Sequence, residues 1–164
     1  MSEINQGKET NPREFALQRV YVKDISFETP NSPSVFTLEW KPESNLNLNS
    51  NVTKLAESTY EVVVTVTITT KVEDKTAYLV EVQQAGIFQV KGFSDQEMGH
   101  MMGAYCPNLL FPYAREVVSD LVSKGSFPQM LLTPVNFDAL YAQHLQDVQA
   151  RAQQEKDPVA GKTH

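Results

Sequence analysis

The chain is poor in cysteine. Cys106 is the single one among 164 residues, which excludes an internal disulfide and leaves stability to the core. Histidine is also scarce, at three residues, and no His or Cys sits at metal-ligand spacing from another. Positive charge is in deficit: 14 Lys and Arg against 20 Asp and Glu give a formal net charge of -6. Duplex nucleic acid and anionic membrane surfaces, both polyanions, are excluded as partners, and a basic surface would be attracted instead. No apolar run approaches the ~20 residues of a membrane span, and Met1 to Asn11 has no signal-peptide core. A cytoplasmic protein is expected. Gly-rich phosphate loops, G-x-S-x-G and H-E-x-x-H are all missing, so no cofactor, metal or enzymatic chemistry is indicated.

What is present is a soluble globular composition, 41% hydrophobic and 21% charged, long enough for one domain with a core of its own. The clearest pattern runs from Tyr60 to Val90. Tyr60, Val62, Val64, Val66 and Ile68 fall at every second position, against Glu61, Thr65, Thr67, Thr69 and Lys71, with Val63 an apolar intruder. This period predicts a strand buried on one face. Val72 to Lys75 breaks it as a short hairpin loop, and Tyr78, Val80 and Val82 return on the buried side, with Ala77, Leu79, Glu81 and Gln83 opposite.

Upstream, Phe15 to Phe27 reads as another strand. Tyr21, Ile25 and Phe27 share one parity; Val20, Val22, Asp24, Ser26 and Glu28 share the other. Val35, Phe36, Leu38 and Trp40 suggest a second strand up to Pro42. The Asn-rich stretch Ser44 to Asn51, with Leu46 and Leu48, fits either a strand continuation or a crossing loop that presents two leucines at a groove. Downstream, Ser94 to Glu97 has the form of a helix-capping box. A helix through Met98, Met101, Met102 and Tyr105 follows, with a break or kink expected between Cys106 and Pro112. Ala114, Val117, Val118, Leu121 and Val122 make a second apolar stripe that stops at Gly125. Asn136 is placed to cap a last helix carrying Phe137, Leu140, Tyr141, Leu145 and Val148 on one face. Residues 1–12 are expected to be disordered, 13–152 to form one domain, and 153–164 to be a mobile tail. Strands followed by helices predict an α+β fold with helices on one sheet face.

Two features invite a functional reading. Met98, Met101, Met102 and Met130, with Phe27, Trp40, Leu46, Leu48, Phe137 and Tyr141, form either ordinary core or a soft apolar contact surface. Leu79 lies on the polar parity of its strand beside Glu81. It is either a lone exposed leucine or the apolar pin of an acidic patch shared with Asp24 and Glu28. A small enzyme using a carboxylate and His100 has no motif behind it.

The segments Tyr21–Glu28, Tyr60–Val63, Glu81–Phe88, Gly103–Glu116 and Pro134–Tyr141 resemble the bacterial protein-export chaperone family SecB, most specifically through Ala104-Tyr105-Cys106-Pro107-Asn108 and Leu110-Phe111-Pro112-Tyr113-Ala114-Arg115-Glu116. The resemblance spans about residues 15–148. It implies a four-stranded antiparallel sheet with helices packed on one face, assembled as a dimer of dimers. It implies an ATP-independent holdase that binds unfolded secretory preproteins in the cytoplasm and delivers them to the motor SecA, with no membrane insertion. Carried over by motif, SecA docking falls to Asp24, Glu28, Leu79 and Glu81, and client binding to Trp40, Leu46, Leu48, Phe137, Tyr141 and Leu145. The alternative within the same resemblance is a chaperone dedicated to an antitoxin or another narrow client.

Overall fold

The period-two segments occupy the centre of the sheet. The computed structural model describes residues 12–156; the expected disordered N-terminus falls outside them except for Pro12, and the expected tail beyond residue 156 does likewise. Strands β1 (Glu14–Glu28), β2 (Glu43–Ala56), β3 (Thr59–Val72) and β4 (Lys75–Lys91) form one antiparallel sheet in the order β1-β4-β3-β2. The β3–β4 turn is the two residues Glu73 and Asp74, both at positive φ (48° and 66°), the geometry that matches the twist of a tight hairpin. Val62, Val64, Val66 and Ile68 of β3 and Val80, Val82, Phe88 and Val90 of β4 are essentially inaccessible. Each such side chain contributes about 1.5–3 kcal/mol, whereas surface ion pairs contribute ~0–1 kcal/mol each. This seam and its helical cover therefore carry the stability.

The cover is a nearly continuous helical rod. Helix α1 (Asp95–His100) starts at a complete capping box: Ser94 Oγ accepts from the Glu97 amide at 3.2 Å, and Glu97 Oε2 accepts from the Ser94 amide at 2.8 Å. A π-turn (Met101–Tyr105) leads into α2 (Cys106–Lys124), which lies over β4 and β3 through Leu110, Ala114, Val118 and Val122. The expected break between Cys106 and Pro112 is absent. The Cys106 amide donates to the Met101 carbonyl, five residues back. Widening the turn there brings Pro107 into the first turn of α2, where a missing amide costs little, and the helix runs on through Pro112. It ends at Gly125, but the left-handed residue is Ser126 (φ 67°). Gly125 is needed for space instead, since a Cβ there would stand 2.6 Å from Phe27 Cζ. Helix α3 (Phe137–Lys156) is capped by Asn136, whose Oδ1 accepts from the Ala139 amide at 3.0 Å.

Two further expectations are corrected, and one open reading is decided in favour of the strand. Val35 to Trp40 is not a strand: Ser34–Thr37 forms a 3-10 turn, with the Val35 amide on the Asn31 carbonyl at 2.8 Å and the Phe36 amide on the Pro33 carbonyl at 3.0 Å. Those bonds occupy amides a ladder would need, and the flanking Pro33 and Pro42 supply none. The Asn-rich stretch is not a crossing loop but the body of β2, with Leu46 opposite Ile68 and Leu48 opposite Val66. Finally, β1 does not keep one parity. Register shifts at Gln18 and Lys23 put Val20 and Val22 on the covered side with Ile25 and Phe27, and turn Tyr21 to the outer side.

Cys106 is fully buried at the start of α2, and burial pushes its thiol from 9.0 up to about 12. Thiolate at pH 8 is then on the order of one part in ten thousand. Native protein should resist iodoacetamide for an hour at pH 8 and react within minutes in denaturant, read by intact mass; rapid native alkylation would contradict the packing of α2.

Candidate functional site

Two surfaces emerge on opposite sides of the sheet. On the outer side, the bulge at Lys23 sets Asp24, Ser26 and Glu28 in one row. Pairing places Asp24 opposite Gln83, Ser26 opposite Glu81 and Glu28 opposite Leu79. Glu81 and Leu79 pair in turn with Thr67 and Thr69 of β3. All four residues assigned to the acidic patch thus lie on two adjacent strands, with Asp24 and Glu28 exposed and Leu79 and Glu81 half-buried. Glu81 Oε2 accepts from Thr67 Oγ1 at 3.3 Å, which aims the carboxylate across the sheet. Asn45, Asn47 and Asn49 of β2 extend this face as an uncharged row beside Thr69, Thr67 and Thr65. The basic groups nearest in sequence are Lys23, paired with Glu61 at 2.8 Å, and Arg19.

On the covered side, α3 stands off the sheet and leaves clefts. Leu48 and Val52 of β2 face Phe137, Leu140, Tyr141 and Met102 across a cleft of about 370 Å³. Tyr141 and Leu145 share a second cleft of about 450 Å³ with Phe93, His100 and Met101. Tyr141 stands between the two because its ring lies on Gly99 and Gly103, four residues apart on the rod: a Cβ at Gly99 would stand 2.6 Å from the Tyr141 hydroxyl, and one at Gly103 would overlap the ring. Phe137 is buried and packs edge-on against Phe111 at 5.7 Å. The start of α3 is held further by His100 Nε2 and Asp138 Oδ1 at 2.6 Å. Every described residue of α3 after Tyr141 is exposed.

The structure therefore brings Leu48, Phe137, Tyr141 and Leu145 together. Leu46, 42% exposed, continues the row along β2. Trp40 belongs elsewhere: it packs on Phe127 at 5.7 Å, in a cluster with Phe36 and Tyr78. Sequence reasoning missed Val52 and Leu140 as cleft walls, and Phe36 as an exposed aromatic; Met102, named among the soft apolar side chains, is a cleft wall. The glycines at 99 and 103 were the available signal, since small residues four apart on a helix admit a close neighbour. Among the described residues no cluster of three or more His, Cys, Asp or Glu is placed to hold a metal, and no helix is long and apolar enough to cross a membrane.

Comparison with known proteins gives a consistent answer. The family described as Preprotein translocase subunit SecB matches residues 8–148. Among curated relatives, Protein-export protein SecB of Methylococcus capsulatus is 63% identical over 153 residues, covering 93% of this chain and 97% of its own. The protein of the same name from Nitrosococcus oceani is 53% identical over 156 residues, covering 92% and 95%. Among solved structures, a SecB-like chaperone of Mycobacterium tuberculosis in complex with an antitoxin peptide superposes with a TM-score of 0.61 at 14% identity, covering 74% of this chain and 90% of that one. The last likeness is one of fold; the two sequence relatives carry the assignment. The chain belongs to the SecB family, preprotein-export chaperones and not enzymes.

Proposed function

We propose that this chain acts in the cytoplasm as an ATP-independent holdase: it takes unfolded preproteins into the clefts beside β2 and α3 and presents them to SecA through the acidic outer face. The observation that carries this reading is the placement of two chemically distinct surfaces on opposite sides of one sheet. The clefts are lined mainly by apolar side chains. Burying an extended apolar segment stabilises the complex by roughly 25 cal/mol per Å², so one shallow cleft holds a client weakly. Several clefts acting on one chain raise the effective concentration of each next contact. The acidic face speeds encounter with a basic segment and makes it salt-sensitive.

Assembly into a dimer of dimers supplies those several clefts. Its support is the unpaired edge of β1. Leu17, Val22 and Ile25 lie on the covered side yet remain about two-fifths exposed, because α2 sits over β4 and β3. Beside them the helical rod exposes Tyr105 and Tyr113, and Ile25, Pro112, Val117, Leu121 and Leu131 share an open hollow with the charged Arg115, Glu116, Asp120 and Lys124. A partly apolar band on a sheet edge calls for a partner, and a second copy offering the same band about a two-fold axis would cover it. The antitoxin-dedicated alternative has only a fold likeness at 14% identity behind it.

The test combines mass and activity. Light scattering should return four times the 18.4 kDa chain mass, and stoichiometric protein should slow refolding of a denatured secretory precursor at least about fivefold without ATP. A monomer with no effect on refolding defeats the proposal. Pull-down from cells should recover many precursors; recovery of a single partner would favour the narrow-client alternative.

A further inference from the structure

The two edges of the sheet differ in how they are defended. β1 is interrupted by register shifts at Gln18 and Lys23 and carries Glu14, Arg19, Lys23, Asp24 and Glu28. Bulges and charges of this kind keep stray strands from pairing with an edge. β2 has neither over most of its length. From Ser44 to Thr53 it holds no charge, no proline and no glycine, and its register with β3 is unbroken from Glu43 to Lys54. Ten residues of strand run for about 34 Å. All of this stretch is exposed except the half-buried Leu48.

The backbone pairing shows what that edge offers. The Val90 amide donates to the Ser58 carbonyl at 2.8 Å, and the β3–β4 register continues from there with Thr59 opposite Gln89. Bonded and non-bonded pairs alternate along an antiparallel ladder. The even-numbered residues of β3 from Tyr60 to Ile68 therefore bond to β4, and the odd-numbered ones from Glu61 to Thr69 bond to β2. Their partners on β2 are Thr53, Asn51, Asn49, Asn47 and Asn45. Ser44, Leu46, Leu48, Ser50 and Val52 are left with N–H and C=O directed at the free edge. The side chains of these same residues point to the covered side, where Leu48 and Val52 wall the cleft against Phe137, Leu140 and Tyr141. Apolar side chains and free backbone groups thus lie along one line.

We propose that β2 binds client by strand addition: an extended, proline-free segment of the unfolded chain pairs antiparallel to Ser44–Val52 as a fifth strand, and every second side chain enters the cleft beside α3. This deepens the holdase reading and rests on it. Antiparallel is the direction of every other pair in the sheet. Breadth and selectivity follow together. Backbone groups are common to all sequences, so the pairing needs no motif, and the cleft asks only for apolar residues at alternate positions. A folded chain has its own backbone groups paired and offers nothing to the edge.

The experiment uses the full chain and a labelled ten-residue peptide with apolar residues at even positions and Ser or Thr at odd ones. Two further peptides carry N-methyl amides, one at two apolar positions, the other at two polar positions. In an antiparallel fifth strand the cleft-facing residues are those whose amides meet β2. Methylation there is expected to weaken binding at least about tenfold, and methylation at the polar positions less than about threefold. Saturating unmodified peptide is expected to slow hydrogen exchange of the Leu46, Leu48 and Ser50 amides at least about tenfold, read residue by residue by NMR, and to change those of Asn45, Asn47 and Asn49 little. Equal affinities of the two methylated peptides, or free-edge amides that exchange no slower with peptide bound, overturn strand addition and leave the apolar cleft as the client site. Slow exchange of those amides before any peptide is added gives the edge to a second copy and overturns it too. An unmodified peptide that does not bind defeats the client-holding reading itself.

Discussion

Glu81→Lys is expected to weaken SecA binding by about 100-fold or more while client holding stays within twofold. Glu81 sits at the middle of the acidic row, with Ser26 on one side and Thr67 on the other. Reversal there replaces attraction for a basic segment by repulsion and places a cation among Asp24, Glu28 and the partner's own cations. A change of about 3 kcal/mol at a close interfacial charge corresponds to roughly 100-fold. The clefts lie on the far side of the sheet, so their occupancy is untouched. Calorimetric titration at two salt concentrations checks both halves: the parent's affinity should fall as salt rises, and the variant should show little binding at either. Binding within threefold of the parent would remove this face from the docking account.

Gly103→Val should detach α3 without disturbing the sheet. In an isolated helix this change is neutral to slightly favourable, by about 0.3 kcal/mol. Here a Cβ overlaps the Tyr141 ring, and forcing such overlap costs about 1–3 kcal/mol. Little else holds the helix: Phe137 on Phe111 and the exposed His100–Asp138 pair. Amides of α3 are expected to exchange about 100-fold faster, those of β3 and β4 to stay at parent rates, and capture of an unfolded precursor to weaken about tenfold as Tyr141 and Leu145 leave their places. Parent-like exchange across α3 would show that its seat is elsewhere.

The centre of the fold was legible because β3 and β4 bury one face each and their alternation is uninterrupted. The capping box at Ser94 and the Asn136 cap were legible because each is a local bond between residues three apart. The edges were harder. Alternation in β1 reads as one strand with one parity, but each bulge adds a residue that resets it, and bulges leave no residue signature. Val35 to Trp40 alternates for a different reason: Val35 is buried and Phe36 exposed in a turn, not in a ladder. Prolines 107 and 112 looked like helix breakers because a π-turn that accommodates Pro107 depends on backbone pairing, not composition. Of the proposed site residues, Leu79, Glu81, Asp24 and Glu28 were named twice, by strand parity and by family resemblance, and they share one face only because of the bulge between Val22 and Asp24. Trp40 was grouped with Leu46 and Leu48 by the family resemblance, and the structure packs it on Phe127.

On the proposed reading, one sheet layer separates the surface for cargo from the surface for the motor. A substitution that broadens the range of substrates need not alter the contact that releases them, and the reverse holds equally. Lineages are thereby free to adapt each side at its own pace, and an engineered variant could be retargeted to new passengers while retaining an unaltered handover.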